Sequence, residues 1–167
     1  DSEDAFEAMC HQLYGRIWQD VGCTRVGRSG QAQFGVDIVG TYRKIPIGLQ
    51  CKHYNKKSFT LKTVTDDIQK AEAAGLAIEH LKFATTAPSN SGVVKEVFEL
   101  SEKRRADGRF TVSVDFWGDI CGHLQMHPEV GRAFITNFPG SALITVTGLA
   151  DPNAKIEIQG YAVIGSK

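Results

Sequence analysis

Two β-rich runs separated by only two residues constrain the fold of this chain more than any other feature. The runs cover residues 36–42 and 45–52, and only Arg43 and Lys44 lie between them. A connection this short joins antiparallel neighbours, because parallel strands need a crossover of a dozen residues or more. We therefore predict a β-hairpin whose turn is centred between Arg43 and Lys44.

The predicted register brings three polar side chains to one face of the hairpin. Asp37 lies opposite Gln50, and Lys52 shares the face of Gln50 because side chains two apart on a strand point the same way. A slip of one residue would separate Gln50 and Lys52 from Asp37, so a common site depends on this register. The other face of the second strand is predicted to be core: Ile45, Ile47, Leu49 and Cys51.

These residue types suit a metal site. A carboxylate and an amide oxygen, with a backbone carbonyl nearby, are hard ligands of the kind that Mg²⁺ prefers. A metal ion so placed lowers the pKa of a bound water and neutralises charge on a phosphodiester. A lysine two residues after the amide can orient or deprotonate that water, or stabilise developing negative charge. The alternative interpretation is an ordinary strand pair with one salt bridge, from Asp37 to Lys52.

The rest of the chain alternates helices with strands. An apolar stripe between Phe6 and Trp18, with Ser2 as its cap, predicts the first helix, and a short β segment follows Gly22. Further helices are predicted at 64–74, 91–105 and 119–127, and further strands at 81–87 and 110–116. Residues 1–138 thus form one predicted α/β sandwich with a mixed sheet. Residues 139–167 are β-rich and are expected to be a C-terminal extension or the start of a further domain.

Charge is unevenly distributed along the 167 residues, although the 19 Lys and Arg balance the 19 Asp and Glu. The segment from Cys23 to Lys62 holds eight basic residues and one acid, Asp37. Such a segment suits phosphate groups, and a solvated hairpin with lysines at its edges is the alternative. No apolar run reaches the roughly 20 residues of a membrane span, and no signal peptide is recognised. The four cysteines form no CxxC pair, which indicates reduced thiols and a cytoplasmic location.

Several short segments, in this order on these elements, carry a resemblance to a known family. They are Phe6-Glu7, the loop 30–37, Gln50 to Tyr54, Phe83 to Ala87, and Val114 to Trp117. Together they resemble the Mrr-type branch of the PD-(D/E)XK nuclease superfamily, over about residues 3 to 138. The resemblance implies the restriction-endonuclease-like fold, an α/β/α sandwich with a central mixed sheet.

The resemblance also implies roles for individual residues. Asp37 would bind the metal and Lys52 would be the catalytic lysine. Gln50 stands where the superfamily pattern has Asp or Glu, a variant common in this branch, and the backbone carbonyl of Cys51 would be a further ligand. Glu7 would supply the missing carboxylate, while a first-turn acid favoured by the helix dipole is the alternative.

The implied activity is Mg²⁺-dependent endonucleolytic cleavage of double-stranded DNA, with Mn²⁺ as the alternative ion. The implied setting is prokaryotic defence against phage or other foreign DNA, in a protein whose other domains sense the invasion. Cutting both strands with one site per chain implies a homodimer or larger assembly. The alternatives are RNA cleavage and a nucleic-acid-binding or assembly module without catalysis on the same fold.

Contacts to the DNA backbone are expected from residues that flank the hairpin. Gln69, on the second helix, is a further candidate for reaching the site. The expected nucleic-acid contacts are Arg25, Arg28, Gln33, Tyr54, Lys56 and Lys57.

Overall fold

A mixed five-stranded sheet forms the centre of the computed structural model, which describes residues 2–27, 34–54 and 59–134. The strands lie side by side in chain order; β1, β2 and β3 are antiparallel, and β3, β4 and β5 are parallel. The predicted α/β class with a mixed sheet is therefore confirmed. The elements are α1 (Glu3–Trp18), β1 (Thr24–Arg25), β2 (Ile38–Tyr42), β3 (Ile45–Lys52), α2 (Leu61–Ala73), β4 (His80–Thr85), α3 (Ser91–Ala106), β5 (Thr111–Asp115), α4 (Trp117–Met126) and α5 (Pro128–Phe134).

The β2–β3 hairpin has the predicted register. Residues 38 to 42 lie opposite residues 49 to 45, so the turn consists of Arg43 and Lys44. Their φ angles are 50° and 68°. A two-residue turn of type I′ needs this left-handed conformation at both positions, and its twist matches that of the flanking strands. The hairpin therefore forms without the glycine or asparagine that such turns prefer.

Other predicted elements are present with shifted ends. β2 begins at Ile38 rather than at residue 36, because Asp37 lies outside the regular ladder. α2 begins three residues earlier than predicted, because Thr60 caps it and accepts a backbone N–H of its first turn. The helix predicted at 119–127 is α4, which ends at Met126, before Pro128, and a further helix that was not predicted follows it. Pro128 starts α5, since a proline is well suited to the first position of a helix.

Apolar residues pack against both faces of the sheet and form two cores. On one face, the stripe of α1 packs with α4 and α5 against Ile38, Ile47, Leu49, Cys51 and Ala84. On the other face, α2 and α3 pack against Leu81, Phe83 and Val112.

Ile45 corrects the predicted core of the second hairpin strand, because its side chain is 44% exposed. It adjoins the turn at the tip of the hairpin and lines an open cavity between the sheet and α1 instead of packing in the core. Among the described residues, no helix is both long enough and apolar enough to cross a membrane. The predicted extension 139–167 lies outside the described residues.

Candidate active site

A buried contact between Asp37 and Gln50 forms the centre of the candidate site. Gln50 Nε2 donates a hydrogen bond of 2.8 Å to Asp37 Oδ2, and the backbone N–H of Cys51 donates one of 2.6 Å to the same oxygen. The Asp37 and Gln50 residues are only 2% and 3% exposed. Asp37 also donates its backbone N–H to the Leu49 carbonyl over 2.9 Å, which holds it beside β3. The hairpin register thus brings the predicted acid and amide into contact.

Two oxygens of this pair have no hydrogen-bond partner among the residues that the structure describes. They are Asp37 Oδ1 and Gln50 Oε1, and both are buried. An acceptor buried without a partner costs about 1–3 kcal/mol. Two such oxygens on touching side chains therefore indicate a place suited to a cation. Both are hard ligands, so the donor chemistry fits Mg²⁺ or Mn²⁺.

The candidate metal ligands are not a cluster of acidic side chains. Within residues 2–27, 34–54 and 59–134, no three His, Cys, Asp or Glu side chains are grouped so that they could hold a metal ion by themselves. A metal ion at this place would therefore depend on the amide oxygen of Gln50 and on backbone carbonyls as well as on Asp37. The ligand set expected from the sequence contains these donors and adds Glu7 as a second carboxylate.

The environment of Asp37 disfavours its negative charge. Burial raises the pKa of Asp37 to about 6, although the N–H of Cys51 opposes the rise. The carboxylates of Glu7 and Asp67 raise the pKa further, and the ammonium group of Lys52 lowers it. A bound cation would stabilise the ionised form of Asp37 by the same attraction.

Lys52 is ion-paired with an acid that the sequence analysis missed. Its Nζ lies 2.7 Å from Oδ2 of Asp67 on α2, a contact that is an ion pair without hydrogen-bond geometry. Lys52 therefore pairs with Asp67, and the alternative interpretation, a salt bridge from Asp37 to Lys52, is wrong. Gln69, the residue of α2 selected from the sequence, is exposed. A usable signal was present, because Asp67 interrupts the buried stripe of α2 with a charge.

Glu7 lies near the site but is engaged by Arg25. Glu7 is 7% exposed, and its Oε1 accepts a hydrogen bond of 2.7 Å from Arg25 Nε. Arg25 also contacts Oδ1 of Asp4 over 2.7 Å. Direct binding of a metal by Glu7 would therefore compete with this ion pair. Arg25, expected to contact DNA, neutralises two acids of α1.

Tyr54 packs at the edge of the second core. Its ring lies edge-on to that of Phe59, with 6.3 Å between the ring centroids, and its backbone N–H donates to Thr86 Oγ1 over 2.8 Å. It is half-buried, which leaves part of the side chain accessible. Four other expected nucleic-acid contacts lie outside the described residues: Arg28, Gln33, Lys56 and Lys57.

A cavity of about 570 Å³ lies on the opposite face of the sheet, against α1. Asp115 at its wall accepts hydrogen bonds of 2.7 Å from Tyr14 and Lys82, and His123 Nε2 lies 3.3 Å away. Burial acts to raise the pKa of Asp115, but its contacts with His123, Lys82 and Tyr14 outweigh burial and leave the pKa well below its ordinary value. Its carboxylate is thus already satisfied by protein groups, in contrast to that of Asp37.

Comparisons of the chain with protein-family models, with curated proteins and with solved structures found no match. The function is therefore inferred from the chemistry of the site and from the resemblance carried by its motifs.

Proposed function

We propose that this chain is a Mg²⁺-dependent endonuclease domain that hydrolyses phosphodiester bonds in double-stranded DNA. The observation that carries the proposal is the pair of partnerless buried oxygens on Asp37 and Gln50. A metal site alone would fit many functions, whereas a lysine two residues after the amide fits charge stabilisation on a phosphate. The two observations are independent, since one concerns unsatisfied acceptors and the other the position of an ammonium group.

Asp37 and Gln50 would hold the metal ion, together with the backbone carbonyl of Cys51. The ion, when bound, would supply a more acidic water and neutralise charge on the phosphate. The residues of the chain have separate tasks. The amide N–H of Gln50 and the backbone N–H of Cys51 orient the carboxylate of Asp37 through one of its oxygens and leave the other available.

The proposed reaction is hydrolysis and needs no other co-substrate. A water oxygen forms a bond to phosphorus while the bond from phosphorus to the leaving sugar oxygen breaks. The water loses one proton to solvent and the leaving oxygen gains one from solvent, so atoms and charge balance. Negative charge grows on the phosphate oxygens in the transition state, and the ammonium group of Lys52 would stabilise it.

The order of the elements supports the restriction-endonuclease-like fold as the finer form of this α/β architecture. An antiparallel hairpin carries the Asp37 and Gln50 to Lys52 motifs, and parallel strands follow it. As parts of the same proposal, the active state is a homodimer or larger assembly, and domains outside this chain sense foreign DNA and regulate cutting. Binding to the DNA backbone would weaken steeply as salt rises.

A plasmid-nicking assay tests the proposal. Supercoiled plasmid is incubated with the chain in Mg²⁺, in Mn²⁺ and in EDTA, at several protein concentrations so that assembly states are sampled. We expect cutting with either metal and none in EDTA. Asp37→Asn and Lys52→Ala should each lower the rate by about a hundredfold or more. Lys62→Ala is the matched control, since Lys62 is an exposed lysine of α2 paired with Asp66, and it should cut like the wild type.

Two other results would overturn the proposal. Binding of DNA without cutting, in every divalent metal and at every concentration, would favour the non-catalytic nucleic-acid-binding or assembly module. Faster cleavage of single-stranded RNA than of plasmid would assign the site to RNA instead.

A further inference from the structure

Asp67 contacts two lysines at once. It is 2% exposed, and its Oδ2 and Oδ1 lie 2.7 Å from the ammonium groups of Lys52 and Lys70 respectively. We propose that Asp67 is a positioning residue, which fixes the ammonium group of Lys52 beside Gln50, where it can stabilise charge on the phosphate. This inference rests on the proposed function for its catalytic part.

The two ion pairs distinguish Asp67 from a metal ligand. Both of its carboxylate oxygens already contact an ammonium group. Asp67 Oδ2, Asp37 Oδ1 and Gln50 Oε1 all lack a hydrogen-bond partner among the described residues, but only the oxygen of Asp67 is in contact with a cation, since Asp37 forms no ion pair within the described part of the chain. The site thus separates two tasks: the oxygens of Asp37 and Gln50 are available to a cation, while Asp67 is occupied by lysines.

The position of Asp67 is rigid because α2 is packed on both sides of it. Val64 and Ile68, its neighbours on the buried stripe, are 0% and 4% exposed. The backbone at Gly35 also approaches Asp67 so closely that a Cβ built on Gly35 would lie 2.4 Å from the Asp67 carbonyl oxygen. The segment that leads into Asp37 therefore rests on the helix at the residue that pairs with Lys52.

Site-resolved acetylation of lysines, read by mass spectrometry, tests the contact without needing activity. Lys52 can react with the reagent only when its ammonium group leaves Asp67, so Asp67→Asn should speed labelling of Lys52 by about fivefold or more, as expected for loss of a contact of about 1 kcal/mol. Lys82, which is 22% exposed like Lys52 and paired with Asp115 on the other face, should not change. Asp66→Asn is the matched control, and it should speed labelling of Lys62 alone.

Unchanged labelling of Lys52 in Asp67→Asn would overturn the proposal. If Lys82 labelling also rises, the fold has loosened, and Asp67→Glu then decides, because it keeps the charge. If Lys52 is still labelled slowly in Asp67→Glu, the contact is supported. If Lys52 is labelled in that variant as fast as in the unfolded chain, the proposal is overturned.

Nicking kinetics test the role of Lys52. We expect Asp67→Asn to lower the catalytic rate and to leave the Mg²⁺ concentration for half-maximal cutting unchanged, whereas Asp37→Asn raises that concentration. Lys52→Arg should retain part of the activity that Lys52→Met loses, because arginine stays charged and cannot serve as a base. Equal loss in both Lys52 variants would overturn the cation role. If the wild type does not cut, the proposed function fails, while the labelling still decides whether Asp67 holds Lys52.

Discussion

The side-chain amide of Gln50 donates its N–H to Oδ2 of Asp37, and this contact keeps a single negative charge where an acid in place of Gln50 would create two. An amide supplies a donor to the neighbouring carboxylate and an oxygen for a cation, so it stabilises the site with or without metal. A carboxylate at the same position would supply only acceptors. Whether residue 50 is Gln or an acid therefore determines how strongly the stability of the fold depends on a bound cation.

Gln50→Glu is expected to make the protein less stable without divalent metal and more responsive to it. The change places a second carboxylate against Asp37, and it removes the donated hydrogen bond, which by itself costs about 1–3 kcal/mol. Thermal unfolding with and without Mg²⁺ measures both effects. Gln69→Glu, the same change at an exposed position of α2, should leave the curves as in the wild type. Equal Mg²⁺ responses in Gln50→Glu and wild type would show that residue 50 is not a ligand.

Gly35 allows the chain to enter the site across the surface of α2. Its φ is +72°, and a Cβ there would lie 2.4 Å from the carbonyl oxygen of Asp67. Gly75 has a similar φ of +66° but no atom within 4 Å of such a Cβ. The two glycines thus separate the cost of backbone conformation from the cost of the close approach.

Gly35→Ala should therefore destabilise the protein by about 1–3 kcal/mol more than Gly75→Ala, since only the first change forces atoms apart. Urea unfolding of both variants measures the difference. Gly35→Ala should also weaken Mg²⁺ binding, because the loop that shifts leads directly to Asp37. Equal losses of stability in the two variants would mean that the contact with α2 is not maintained in solution.

The hairpin could be predicted because its determinants are local. The length of the link between the two runs and the alternation of side chains are both visible in the sequence, and they place Asp37 against Gln50. The prediction that Ile45 belongs to the core was wrong, because its side chain is 44% exposed. Alternation shows which face of a strand is apolar, whereas the position of the covering helix decides which end of that face is buried.

The partners of the charged residues could not be predicted in the same way. Lys52 and Asp67 lie on different elements, and their contact depends on how α2 packs on the sheet. The pairing of Arg25 with Glu7 likewise depends on the place of β1 beside α1. α5 was missed because Pro128 suits both the end of one helix and the first position of the next, and local sequence does not decide between them.

The hairpin turn should be open to stabilisation. Lys44 has a φ of 68° without being glycine or asparagine, and such a conformation costs an ordinary residue about 1–2 kcal/mol. Lys44→Gly removes this strain and adds some flexibility to the unfolded chain, so we expect a net gain of about 0.5–1 kcal/mol. Lys95→Gly, the same change on the exposed surface of α3, should instead lose about 1 kcal/mol. Urea unfolding gives both values, and a loss in both variants would contradict the strain at Lys44.

His80 is expected to make stability fall as pH decreases through the weakly acidic range. Burial lowers the pKa of His80 to about 4 from its ordinary value of 6.5. Its two ring nitrogens form hydrogen bonds of 2.8 Å with the hydroxyl groups of Thr111 and Ser113. Among the charges around it, Lys82 and Arg105 lower the pKa further and Asp115 raises it.

Between about pH 6.5 and 4, the unfolded chain therefore carries a proton at His80 that the folded chain lacks. Above that pH window, neutral His80 makes its full contribution to the free energy of unfolding. As the pH falls through the window, the free energy of unfolding should decline by at most about 3 kcal/mol, since each pH unit is worth 1.36 kcal/mol. His80→Gln cannot titrate, so its stability curve should be flatter than that of the wild type over this range. Urea unfolding at half-unit steps of pH measures the slopes. Parallel curves for the two proteins would show that His80 takes up its proton equally well in the folded and the unfolded chain.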